Sequence, residues 1–232
     1  MRLGGVQKLT LLDFPEHVAC TVFTLGCNLR CPFCHNASLV VPERALPDEM
    51  PEDAFFAFLE NRKKVLDGVA ITGGEPLIQP DIVEFIRKIR VLGYAVKLDT
   101  NGTLPHVLKT ILDEHLVDYV AMDIKNSPAR YAETVGVPGF DVKKIEESLA
   151  LLRASGVPFE LRTTVVAELH DETSIQDIGA WIAGDQKYFL QSFTDSEYVL
   201  DHTLSACNKE LLEEYRILLM KYVDTVELRG VD

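Results

Sequence analysis

The stretch Ala19-Cys20-Thr21-Val22-Phe23-Thr24-Leu25 runs directly into Gly26-Cys27-Asn28-Leu29-Arg30-Cys31-Pro32-Phe33-Cys34-His35-Asn36. Its first half is β-branched and aromatic, the composition of a strand, and its second half opens on glycine and turns polar, the composition of a loop. Outward from it the same alternation continues. Further β-rich runs stand at Val69–Thr72, Tyr94–Leu98, Val117–Met122, Phe159–Val166, Tyr188–Gln191 and Thr225–Leu228. Segments of helical period separate them: Ile82, Phe85, Ile86, Ile89 and Leu92 recur on one helical face and Gly93 stops them. Val107, Leu108, Ile111 and Leu112 repeat the pattern behind Thr103-Leu104-Pro105, where Thr103 is expected to cap the helix and Pro105 to fit its first turn. Pro51–Leu66, Val142–Ala154 (stopped by Gly156), Thr173–Ala183 and Asn208–Lys221 complete the expected helices. Repeated βα units make a parallel sheet, and about six of them fall short of the ~250 residues of a closed eightfold barrel. The expected fold class is therefore α/β, an incomplete (βα)6 TIM-like barrel with outer helices.

The 232 residues are 47% hydrophobic and 25% charged, an ordinary globular composition, so one domain is expected over 1–232, its core at about 11–200 and a last helix and strand at about 207–228. Val40–Pro51, with three prolines, is read as a polar connection. Lys and Arg number 23 against 36 Asp and Glu, a net charge of −13, which repels phosphate backbones and anionic lipid. No nucleic acid and no membrane are expected as partners. The longest apolar run, Ala54–Leu59, is far below the ~20 residues of a membrane span, and the N-terminus lacks a signal-peptide core. The expected location is the cytoplasm.

Of five cysteines, Cys27, Cys31 and Cys34 fall within eight residues, while Cys20 lies in an apolar run and Cys207 stands apart. Thiols are kept reduced in the cytosol, so a cluster of three implies a bound metal rather than disulfides. Structural zinc wants four ligands, commonly in two pairs, and no second pair follows. Electron-carrier iron–sulfur clusters also use four cysteines as a rule. Three ligands on a four-iron cluster leave one iron open to a small molecule, which points to catalysis.

The spacing C-x3-C-x2-C, with the aromatic Phe33 before the last cysteine, resembles the signature of the radical S-adenosylmethionine enzymes. Leu11-Leu12-Asp13-Phe14-Pro15 followed by GCNLRCPFCHN is similar to the activating proteins of anaerobic ribonucleoside-triphosphate reductase, relatives of the pyruvate formate-lyase activating enzymes. The resemblance runs from about Leu11 to Val166. It implies that Cys27, Cys31 and Cys34 hold a [4Fe–4S] cluster whose open iron binds S-adenosylmethionine. One electron then cleaves the cofactor to methionine and a 5′-deoxyadenosyl radical. It also implies, as partners, a large glycyl-radical enzyme as protein substrate and a flavodoxin- or ferredoxin-like electron donor.

Chemistry in such barrels collects behind the C-terminal ends of the strands. There the sequence places Gly73-Gly74-Glu75-Pro76, Leu98-Asp99-Thr100-Asn101-Gly102 and Ala121-Met122-Asp123-Ile124-Lys125. Two adjacent glycines let a backbone approach a ligand closely, and serve a plain strand-to-helix turn equally well. By resemblance, Gly73, Gly74 and Glu75 border the methionine amino group, Asp99 and Lys125 meet the amino-acid end, and Phe33 packs near the adenine. Asp99, Thr100 and Asp123 would help seat a monovalent cation. Bland roles for the same residues are a turn cap at Asp99 and a solvated ion pair at Lys125. Arg162 either faces the interior or pairs with Glu160 on its own face. His35 is left unassigned, and Cys20 and Cys207 are read as buried thiols. The late stretch Leu190-Gln191-Ser192-Phe193 has no histidine, unlike the pyruvate formate-lyase type, so the ribose contacts must differ. Other readings are a small-molecule radical enzyme of the deazaguanine synthase kind and, in a different class, an iron–sulfur carrier or a zinc-stabilised module.

Overall fold

A computed structural model describes residues 1–40 and 49–231, so the expected polar connection at Val40–Pro51 falls largely outside the described residues. In chain order the strands are β1 (Leu3–Thr10), β2 (Ala19–Thr24), β3 (Gly68–Gly73), β4 (Ala95–Thr100), β5 (Tyr119–Asp123), β6 (Phe159–Val165), β7 (Lys187–Ser192) and β8 (Thr225–Arg229). The helices are α1 (Ala37–Val40), α2 (Glu52–Arg62), α3 (Ile82–Val91), α4 (Pro105–Asp113), α5 (Tyr131–Thr134), α6 (Lys143–Ser155), α7 (Glu172–Trp181) and α8 (Lys209–Leu219), with a 3-10 turn at Pro76–Ile78. The sheet follows chain order from β1 to β8. β1 is antiparallel to β2, and the pairs β2–β3, β3–β4, β6–β7 and β7–β8 are parallel. The α/β class of the partial barrel is borne out, with one strand more than the sequence predicts. Among the described residues no helix is long and apolar enough to cross a membrane.

The chain divides into two compact units. The first comprises Met1–Asn28, Asn36–Ala121 and Lys144–Pro158. Its inner strands bury Val22, Val69, Ile71, Val96 and Leu98, and α3 covers them with Ile82, Phe85, Ile86 and Ile89, the stripe expected from their spacing. Gly93 ends that helix at φ +90° and donates its N–H to Arg90 O at 2.9 Å. Three expectations need correction here. Strand β1 is unpredicted, because Gly4 and Gly5 and the exposed run Gln7-Lys8-Leu9 erase the alternation of an edge strand that has a single neighbour. Helix α2 stops at Arg62 rather than Leu66, since the N–H groups of Val65 and Leu66 both return to Arg62 O. Thr103 does not cap α4: Leu104 occupies the cap position without a side-chain bond, Pro105 opens the helix as expected, and the Thr103 hydroxyl is used elsewhere.

The second unit comprises Leu29–His35, Met122–Lys143 and Phe159–Asp232. Its strands β6, β7 and β8 bury Leu161, Tyr188, Leu190 and Val226. Helix α7 opens on a reciprocal cap: Asp171 accepts from Ser174 N at 2.8 Å and the Ser174 hydroxyl accepts from Asp171 N at 3.0 Å. Asn208 caps α8 through Leu211 N at 2.8 Å.

Candidate active site

In the first unit the ends of β2, β3 and β4 carry Cys27, Gly73-Gly74-Glu75 and Asp99-Thr100. The chain itself requires both glycines. Gly73 lies at φ +116°, and a Cβ there would meet Thr24 N at 2.3 Å. A Cβ on Gly74 would stand 1.8 Å from Gly26 O. Gly74 N donates to Thr24 O at 2.9 Å and Glu75 N to Gly26 O at 2.8 Å, so this loop is laced to the backbone just ahead of Cys27. The close approach these glycines permit is between two protein loops.

Glu75 is 1% exposed, and its carboxylate accepts from Leu77 N at 3.0 Å, Thr100 Oγ1 at 2.8 Å and Asn101 N at 2.7 Å. It thereby fastens the end of β3 to the end of β4. Asp99 pairs with Lys97, its neighbour on the same face of β4, whose side chain is 3% exposed. Asn28, Asn101 and Thr103, none of them among the expected site residues, form a closed hydrogen-bonded set beside Cys27. Only Asn101, next to the flagged Asp99-Thr100, carried a sequence signal.

In the second unit Asp123, at the end of β5, accepts from Lys125 Nζ at 2.9 Å and from Arg162 Nε at 3.0 Å. Burial opposes its ionisation, but the two cations outweigh burial and hold the carboxyl down at about 2. Burial likewise opposes the Lys125 charge, and Asp123 overcomes it, so Lys125 stays protonated. Glu160 accepts from Arg229 at 2.8 and 3.1 Å, and Arg162 reaches Asp123. The Lys125 ammonium lies 6.0 Å from the centroid of the Phe33 ring. Burial pushes the Cys31 thiol up to about 11, against the pull of Lys125. It therefore gives up its proton when a metal arrives rather than beforehand. The loop around it is pinned: Cys34 N donates to Cys31 O at 3.1 Å, Arg30 N to Val135 O at 2.9 Å and Asp201 N to Pro32 O at 3.0 Å.

His35 packs against Phe193, ring centroids 5.7 Å apart. Cys20 and Cys207 are buried free thiols as expected, with burial pushing Cys20 up to about 12.

Behind Lys125 stands His170, 3% exposed and also absent from the sequence reading. Its Nδ1 is 3.1 Å from Val166 N and its Nε2 3.0 Å from Lys125 O. A backbone N–H only donates, so Nδ1 accepts and Nε2 donates to the Lys125 carbonyl. Burial lowers its pKa, so below the ordinary value of 6.5 the unfolded chain takes up a proton that the folded chain refuses. The stability contribution of neutral His170 is complete above that pH and falls below it, by at most about 1.4 kcal/mol per pH unit. In His170→Gln, urea midpoints between pH 7 and 5 are expected to lose that part of the slope. An unchanged slope would refute it.

The donor set fits a soft, polyanionic iron–sulfur group. In the first unit Cys27 faces an amide N–H and the carboxylates of Glu75 and Asp99 are occupied by protein donors; in the second Cys31 lies beside an ammonium and the Asp123 carboxylate is likewise occupied. Among the described residues no three His, Cys, Asp or Glu side chains are grouped to hold one metal ion. An iron–sulfur cluster takes its thiolates on separate irons, so it asks for no such grouping.

The family model described as Radical SAM superfamily matches residues 21–178. The chain belongs to that superfamily. As a radical SAM enzyme it is 31% identical, over 99% of its length and 96% of the relative's, to a protein of Methanocaldococcus jannaschii named as a glycyl-radical enzyme activating enzyme. It is also 36% identical, over 76% of its length and 73% of the relative's, to the 7-carboxy-7-deazaguanine synthase of Methanopyrus kandleri. Among solved structures, Streptococcus suis SuiB bound to its precursor peptide SuiA superposes with a TM-score of 0.70 at 16% identity, covering 94% of this chain and 50% of that one. That likeness supports the fold. Radical SAM membership implies a [4Fe–4S] cluster and S-adenosylmethionine.

Proposed function

We propose that this radical SAM enzyme activates a glycyl-radical enzyme, of the anaerobic ribonucleoside-triphosphate reductase kind, in the cytoplasm of an anaerobically growing cell. The observation that carries this reading is the likeness across 99% of the chain to a protein named for that activity. Cys27, Cys31 and Cys34 would hold the [4Fe–4S] cluster. When bound and reduced by a flavodoxin- or ferredoxin-like donor, it supplies the electron that splits S-adenosylmethionine into methionine and a 5′-deoxyadenosyl radical. That chemistry would serve to move one hydrogen atom from the α-carbon of a partner glycine to the 5′-carbon of the cofactor fragment, with 5′-deoxyadenosine and a glycyl radical as the products.

The protein's own part is positioning and exclusion of water. Gly73 and Gly74 would border the methionine amino group, while the Glu75 carboxylate fixes their loop from within. Lys125 and Asp99 would meet the charged amino-acid end, and each is held by a protein partner: Asp123 for Lys125 and Lys97 for Asp99. Phe33 would pack against the adenine. Asp99, Thr100 and Asp123 would help seat a monovalent cation. A net charge of −13 favours a neutral or basic face on the partner.

A second reading has its own observation, the 36% identity to a deazaguanine synthase, and makes the acceptor of the radical a small heterocycle. Incubating the reduced, cluster-loaded chain with S-adenosylmethionine and a glycyl-radical enzyme separates the two. The expected result is a carbon-centred doublet in the electron paramagnetic resonance spectrum of the partner. Cofactor cleavage without that doublet, but with turnover of a small heterocycle, would favour the second reading.

A further inference from the structure

Cys27 Sγ stands 3.8 Å from Asn101 Nδ2, within reach of an N–H···S hydrogen bond. The orientation of that amide is settled by its other end. Asn101 Oδ1 accepts from Thr103 N at 3.0 Å, and a backbone N–H cannot accept, so the NH2 must face the sulfur. The remaining bonds close a ring. Asn101 Nδ2 also donates to Asn28 Oδ1 at 3.0 Å, Asn28 Nδ2 donates to Thr103 Oγ1 at 2.7 Å, and Thr103 Oγ1 donates to Asn101 Oδ1 at 2.6 Å. Of the two Nδ2 hydrogens, one is taken by Asn28 and the other is left for Cys27. Asn101 is 6% exposed, and its backbone is tied by Glu75 at 2.7 Å. The donor is thus fixed before any cluster arrives and is shielded from water.

We infer that Asn101 is a positioning residue that sets the reduction potential of the cluster through an N–H···S bond to the Cys27 thiolate. This rests on the reading that Cys27 is a cluster ligand. Adding an electron places more negative charge on the sulfurs, so a fixed N–H stabilises the reduced form more than the oxidised one and raises the potential. The bond ties the Gly73-Gly74-Glu75 loop, through the Glu75 carboxylate, to the electronics of the cluster.

The test is a spectroelectrochemical titration of the reconstituted native chain beside Asn101→Ala and Asn101→Asp. Aspartate keeps the acceptor toward Thr103 but turns an oxygen toward the sulfur. The expected result is a reduction equilibrium about tenfold less favourable in Asn101→Ala, about 59 mV lower for a one-electron couple, and a larger drop in Asn101→Asp. In the native chain grown with asparagine labelled by nitrogen-15 in its side-chain amide, pulsed electron paramagnetic resonance of the reduced cluster is expected to show one weakly coupled nitrogen. This second measurement does not depend on either variant assembling its cluster. Unchanged potentials in loaded variants, or no nitrogen coupling in the native chain, overturn the inference while leaving the cluster assignment standing. A native chain that takes up no iron–sulfur cluster overturns that assignment and this inference with it.

Discussion

Cys27→Ala is expected to bind no stable four-iron cluster and to form 5′-deoxyadenosine at least about 10³-fold more slowly than the native chain under reducing conditions. The size follows from what one ligand does. With the proposed ligand set, removing one of three thiolates would open a second iron to water and to loss, and the electron needed for cleavage would have no stable site, which is worth more than about 4 kcal/mol in the barrier. Cys20→Ala and Cys207→Ala provide the controls. Both thiols are buried and free, so they lose packing and keep turnover. Iron and sulfide content, with product measured by chromatography, checks the result. Native-like product from Cys27→Ala, or loss of product from Cys20→Ala at equal stability, would sink the assignment.

Gly74→Ala is expected to cost about 3 kcal/mol of stability, roughly a hundredfold in the folding equilibrium, and to lose cluster uptake with it. The added carbon would lie 1.8 Å from Gly26 O, and its neighbours at that point are backbone with no rotamer to give way. Relief requires separating the end of β3 from the segment entering Cys27, which breaks the bonds from Gly74 N to Thr24 O and from Glu75 N to Gly26 O. Gly93→Ala is the comparison. A Cβ there meets nothing within 4 Å, so only the strain of φ +90° remains, about 1 kcal/mol. Urea unfolding of both variants decides the matter, and equal costs would mean that the two loops can part freely.

Much of the site was legible because its residues are neighbours in sequence. Three cysteines within eight residues can be read without a fold, and so can Gly73-Gly74-Glu75 and the polar clusters at the ends of apolar strands. For the glycines, sequence shows that a backbone must come close to something and not that the partner is Gly26. Thr103 departs from its expected cap for a similar reason. Before Leu104-Pro105 a threonine has the local chemistry of a cap, yet Asn101 Oδ1 competes for its hydroxyl and wins at 2.6 Å. Strand β1 left no periodic trace because an edge strand with two glycines and an exposed stretch needs no alternation to pair on one side.

By itself the sequence determined the α/β class, the repeated strand-to-loop pattern, and the positions of the cysteines, because periodicity, turn chemistry and ligand spacing are properties of adjacent residues. The tertiary structure alone decided which groups meet across long separations. Glu75 joins Thr100 and Asn101, Arg162 reaches Asp123, His170 holds the Lys125 carbonyl, and Asn101 turns its N–H toward Cys27. Those pairings depend on strand register and on burial, where a polar group left without a partner costs far more than it does in water.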